Sequence, residues 1–235
     1  VRIQAQDARI RFPLRVELDN VLLGTAAEAE GIAVERISAG LDFLSIFRGT
    51  PFRFRLERKQ GFVDLRLSSP SPKAGRGSLA AANVSTADIP GLLPGNGLVL
   101  SIERCEVRWS RPGGGNAEGK GRARFSGIRL PIPAPESPVR EALIRDADVD
   151  FSMGGGGLHV SSLRGRYEGA PIEGNGEIAQ ADSLARARIT FNLRIPNPYE
   201  GNVATIFNLV AKNAKNANLR ISGPLLSPAG EFLFF

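Results

Sequence analysis

A mainly β fold, one broad and bent, largely antiparallel sheet with a few short helices, is predicted by three features of this chain. The first is a period-two alternation in which Ile10, Phe12, Leu14, Val16 and Leu18 are interleaved with Arg9, Arg11, Pro13, Arg15, Glu17 and Asp19. Successive strand side chains point to opposite faces, so such a run has one apolar face and one wet face. The second is the return of that rhythm at intervals almost to the C-terminus. The third is the placement of 27 glycines and 16 prolines, which fall mostly between the alternating runs, as turn residues do.

The 235 residues, 42% of them hydrophobic, are enough for a real core and argue against disorder. They read as a single elongated domain over 1–235, with the Ser/Pro/Gly-rich stretch 68–77 marking where a sub-boundary would fall. The net charge of +6 directs attention to anionic partners. Only Lys59, Lys73, Lys120, Lys212 and Lys215 are lysines, and most arginines alternate with apolar residues instead of forming a run. That pattern reads as a solvated sheet face, with attraction to an anionic membrane surface as the sharper alternative. A nucleic-acid module would cluster basic residues around stacking aromatics, and the two Tyr and one Trp lie in no such cluster. Cys105 is the only cysteine, so no internal disulfide forms. No run of about twenty apolar residues is present to span a bilayer as a helix. The chain starts at Val1, and an anchor or signal segment is expected to precede it.

In chain order, Ile10–Leu18 reads as the first strand, and Ile32 and Val34 hint at a second. Ala39–Gly49 reads as a helical turn or two, carrying Leu41, Leu44 and Phe47 at three-residue spacing. The clearest unit is a hairpin: Phe52, Phe54 and Leu56 alternate outward, a turn falls at Lys59–Gly61, and Val63, Leu65 and Leu67 return. Ser68–Gly77 and Ala87–Gly97 read as loops. Leu98–Trp109 reads as a strand with a bulge near Arg104, and Lys120–Arg129 as another. Leu130–Pro138 is an extended, proline-rich linker, and Val139–Ile144 reads as one helical turn. Further strands cover Ala147–Phe151, Leu158–Tyr167, Ile172–Ile178, Ala185–Ile195 and Leu219–Ile221. Roughly ten to twelve strands result. Glu200–Lys212 is the best helix, with Val203, Ile206, Phe207 and Val210 on one stripe.

Residues suited to chemistry are few. One His leaves no HExxH or Cys/His zinc site, and His159 reads as an ordinary strand or turn residue. Asp146, Asp148 and Asp150 begin like a calcium loop, yet Phe151 stands where glycine is needed and Gly157 where glutamate is needed. They read as the wet side of a strand. Gly174–Ala179 fits a dinucleotide-binding fingerprint, but a strand follows where a helix is required. No catalytic, metal or cofactor-binding residue is assigned, and the chain reads as non-enzymatic.

The segment FLSIFRGTPFRFRLERKQGFVDLRL (Phe43–Leu67) resembles AsmA-type periplasmic proteins. Four further pieces resemble the type II secretion system protein N family: ADIPGLLPGNG (Ala87–Gly97), RITFNLRIPN (Arg188–Asn197), the terminal amphipathic helix and LRISGPLLSP (Leu219–Pro228). The resemblance implies a curved half-barrel or groove, held in the periplasm of a Gram-negative bacterium by an inner-membrane anchor. It implies an accessory role in a protein-secretion machine, with other secretion-system proteins as partners. Its alternative is lipid binding or transfer, with acyl chains in an apolar groove lined by Phe52, Phe54, Leu56, Val63, Leu65 and Leu67.

Overall fold

The computed structural model describes residues 2–12, 14–24, 32–70, 75–86, 99–131, 141–181, 186–196, 201, 204–205, 209, 216–225 and 229–233. These form β1 (Arg2–Arg11), β2 (Arg15–Gly24), β3 (Ile32–Leu41), α1 (Phe43–Ile46), β4 (Phe52–Glu57), β5 (Phe62–Leu67), β6 (Gly75–Ser85) and β7 (Val99–Arg111). Then come β8 (Glu118–Pro131), β9 (Glu141–Gly154), β10 (Gly157–Tyr167), β11 (Ala170–Ala179), β12 (Arg188–Pro196), β13 (Asn216–Pro224) and β14 (Ala229–Leu233). All fourteen strands make one antiparallel sheet in which spatial order equals chain order. The sheet does not close, and β1 and β14 are its two edges.

Local chemistry sets the shortest connections. Gly155 and Gly156, with φ of 60° and 80°, join β9 to β10, and Glu168 and Gly169, at 48° and 81°, join β10 to β11. Two positive φ angles in a two-residue loop match the right-handed twist of the flanking strands. The 52–67 hairpin is present as read, closed by the paired bonds Arg58 N to Gly61 O (2.8 Å) and Gly61 N to Arg58 O (3.3 Å).

Several expectations are corrected. Ile10–Leu18 is not one strand: β1 ends at Arg11, β2 begins at Arg15, and Ile10 pairs across the turn with Val16. The alternation continues through the turn because cross-strand partners share a face. Ala39–Leu41 belong to β3, which leaves α1 only four residues. Glu141–Ile144 are strand, not helix. Gly75–Gly77 belong to β6, a strand that brings the total beyond the expected number. The 87–97 and 132–138 segments, and Val203, Ile206, Phe207 and Val210, lie outside the described residues. Gly201, Ala204, Thr205 and Leu209 are helical.

The register gathers the apolar residues into rows across the strands. One row takes Ile10, Val16, Ala39, Phe54, Leu65, Leu79, Val107, Gly121, Phe151, Val160, Gly176, Phe191 and Ile221, one from each strand β1–β13. A second, two residues along each strand and three along the bulged β10, takes Ala8, Leu18, Ile37, Leu56, Val63, Ala81, Cys105, Ala123, Val149, Leu163, Gly174, Leu193 and Leu219. A third runs from Leu41 through Phe52, Leu67, Gly77, Trp109, Gly119, Met153, Leu158, Ile178 and Ile189 to Gly223. Every member is apolar or glycine. The buried core cluster begins at Ile128 and lies in the C-terminal half of the sheet.

The opposite face holds charges in pairs. Arg36 Nε meets Asp19 at 2.7 Å and Arg122 Nε meets Asp150 at 2.7 Å, each between register partners. Arg53 donates twice to Asp64, at 2.8 and 3.0 Å. In β2–β5 this face is itself partly covered, and Glu17, Ser38 and Asp64 are buried. Ser45 of α1 is buried too, accepting from Arg66 Nη1 at 3.3 Å.

Asp42 caps α1, accepting from Leu44 N at 3.2 Å and from Ser45 Oγ at 2.9 Å. These bonds, that from Ser45 foremost, hold its carboxyl below the ordinary 3.8. A lowered folded-state value stabilises the fold above the unfolded carboxyl's titration and is lost as pH falls through the lower value. Asp42→Ala is therefore expected to cost about 1 kcal/mol at neutral pH. In urea titrations repeated toward acid, the difference from the wild type should shrink to nothing; a constant difference would assign the effect to packing.

Candidate functional site

Between β7 and β13 the apolar face encloses a partly open cavity of about 280 Å³. Leu100, Ile102 and Cys105 of β7 line it, and so does Ile221 of β13. Strands β8 to β12 contribute Ala123, Phe125, Val149, Phe151, Val160, Leu163, Ile178, Phe191 and Leu193, among others. Among the described residues that line it, none is charged. In a flat sheet, six strand-to-strand steps of about 4.8 Å would hold β7 and β13 about 29 Å apart. Both strands reach the same small cavity because the sheet curls here.

Two features of this stretch account for the curl. The register slips at Ser101/Ile102 and Ile102/Arg104 between β7 and β8. It slips again around Val160–Ser162 and Arg164–Arg166 between β9 and β10, and at Val160/Leu163 between β10 and β11. Each slip bends its strand and raises the local twist. The bulge expected near Arg104 is thus one of a set. The second feature is glycine opposite an aromatic ring: a Cβ on Gly121 would lie 2.4 Å from Phe151 Cζ, and one on Gly176 would lie 2.7 Å from Phe191 Cδ1. The missing side chains let both rings lie down against the neighbouring strand on the concave side.

Among the described lining residues, Cys105 is the one with a reactive group. Burial, and secondarily the charge of Glu106, pushes its thiol above the ordinary value. It behaves as a small apolar side chain that also reports on the cavity.

The six residues read as groove-lining lie in the same three rows as the cavity residues, further toward β1. Phe52 pairs with Leu67, Phe54 with Leu65 and Leu56 with Val63. Leu67 is buried, Phe52, Leu56, Val63 and Leu65 are half-buried and Phe54 is exposed, so this part of the face is only partly covered where β7–β13 is enclosed. The cavity residues were missed because each belongs to an ordinary alternating strand. The available signal was the recurrence of glycine opposite Phe or Trp.

The remaining sequence motifs are dispersed. His159 stands exposed in β10 between register partners Ser152 and Glu177. Asp148 and Asp150 sit in β9 opposite Arg124 and Arg122. Gly174 and Gly176 are in β11 opposite Leu193 and Phe191, with β12 following. Among the described residues no group of three metal-ligating side chains comes together, and no helix is long and apolar enough to cross a membrane. No family model, curated protein or solved structure matches this chain.

Gly121→Ala is expected to cost about 1–3 kcal/mol, because the Phe151 ring must shift into the cavity. Urea denaturation measures this. A neutral result would mean that the ring has room and that the glycine does not set the curl.

Proposed function

We propose that the protein binds a lipid through an acyl chain laid along its apolar face, with the β7–β13 cavity holding part of the chain. The observation that carries this reading is a cavity whose described walls are apolar and uncharged, on the same rows that continue through half-buried Phe52, Leu56 and Leu65 to exposed Phe54, Val16 and Ile10. An apolar cavity of roughly half this volume stays dry and takes up benzene. A volume of about 280 Å³ lies near the lower end of the usual ligand-pocket range. Alkyl groups gain from leaving water and ask for no hydrogen-bond partner. The role is non-enzymatic carriage or transfer in the periplasm beside the inner membrane, in keeping with the AsmA-like pattern at Phe43–Leu67.

A second reading is favoured by a different observation. Strand β1 is an open edge ten residues long, with backbone groups free to extend the sheet into a partner. An accessory component of a type II secretion apparatus would use such an edge for protein contacts. Genes for that apparatus beside this one would favour the second reading over the first.

The cavity reading is tested with palmitate and with phosphatidylglycerol, using native mass spectrometry and the rate of Cys105 alkylation. Retention of lipid at one per chain and slower alkylation are expected. Ala123→Leu, which fills the cavity with three more carbons, should weaken retention by about tenfold while unfolding as a single cooperative transition. Unchanged alkylation with no lipid retained would overturn the reading.

A further inference from the structure

We infer that one end of the sheet, built from the β1–β2 turn and the α1 segment, is a membrane-inserting tip for an anionic phospholipid surface. Phe12 and Leu14 stand in that turn, and Phe43, Leu44, Ile46 and Phe47 stand on and beside α1. All six are exposed, Phe12 at 97% and Phe47 at 91%. The two segments are one unit: Leu41 N donates to Leu14 O at 3.2 Å, so the turn and the start of α1 are side by side on one rim.

The apolar groups face outward for a local reason. Ser45 is turned inward, donating to Asp42 and accepting from Arg66, and that attachment directs its neighbours in α1 to solvent. Leu44 and Phe47 share the three-residue spacing of a core-facing stripe, yet neither is buried.

The occupant follows from shape and charge. The six side chains project from a rim and line no cavity, so a protein partner would have to supply a matching pocket for each. A bilayer interface accepts separate projecting groups without one, and basic residues behind an apolar face strengthen binding to anionic headgroups. Arg11, Arg15 and Arg48 flank the apolar residues directly in sequence, and Arg9 stands behind them. Against these four arginines stand Glu17, which is buried between Arg11 and Arg15, and Asp42, which caps α1. Among the described residues the balance at this end is positive. The inference goes beyond lipid carriage, because docking at the tip needs no chain in the cavity.

Flotation of the whole 235-residue chain with intact vesicles tests it, using one part phosphatidylglycerol to two parts phosphatidylcholine. The wild type is expected to float. Phe12→Ser together with Phe47→Ser should lower the bound fraction by about tenfold or more, with an unchanged melting temperature because both side chains are in water. Arg48→Glu should weaken binding to the mixed vesicles and leave binding to pure phosphatidylcholine as it was. Ala123→Leu should float like the wild type, which separates the tip from the cavity. A wild type that stays at the bottom, or a double Phe variant that floats as well, would overturn the inference. Sedimentation showing a dimer that the Phe pair abolishes, with no flotation, would overturn it in favour of a second copy on this rim.

Discussion

Register across a fourteen-strand antiparallel sheet is the constraint on which the rest depends. Side chains alternate with a period of two, so a slip of one residue would move a strand's apolar set to the opposite face. Three rows of apolar or glycine residues nevertheless cross from strand to strand without a polar member. The bulges of β7–β11 interrupt the ladder, yet the rows resume on the same face beyond each one. Pairs such as Arg122–Asp150 and Arg36–Asp19 hold the other face at the same register positions. Exposed pairs of this kind contribute little stability. Their cost in the wrong register, with like charges opposed, reinforces the correct one.

The two halves of the sheet put the same alternation to different uses. From β7 onward, bulges and glycine–aromatic pairs curl the apolar face until side chains from strands far apart meet, and the buried cluster forms there. In β1–β5 the apolar face stays more open, and the buried side chains include Glu17, Ser38 and Asp64 on the charged side. An enclosed cavity at one end and bare apolar residues at the other therefore share one surface. A long alkyl chain has that same requirement for a continuous apolar path.

Much of this was legible in local sequence. The 52–67 hairpin could be read because charged and apolar residues alternate on both arms around a glycine-containing turn. The run Ile10–Leu18 misled because its rhythm passes unbroken through a reversal, leaving Ile10 and Val16 as partners. Strand β6 was hidden by Ala80, Ala81 and Ala82, which carry little strand preference. Glu141–Ile144 offered too few residues to tell a turn of helix from the start of a strand. The cavity was not legible without the register, which alone sets glycines opposite aromatic rings. Gly121 and Phe151 stand thirty residues apart, and the meeting of β7 and β13 at one cavity, which Cys105 and Ile221 both line, depends on the summed bend of six strand pairings.

That shared cavity is the most direct test of the account. With Cys105 as the natural thiol and Ile221→Cys as the second, a short apolar bismaleimide should join the two within one molecule. A flat sheet would hold them about 29 Å apart, beyond such a reagent's reach. Rapid intramolecular linkage is the expected result. Two thiols that each react singly and never become joined would contradict the curled sheet, and with it the enclosed cavity.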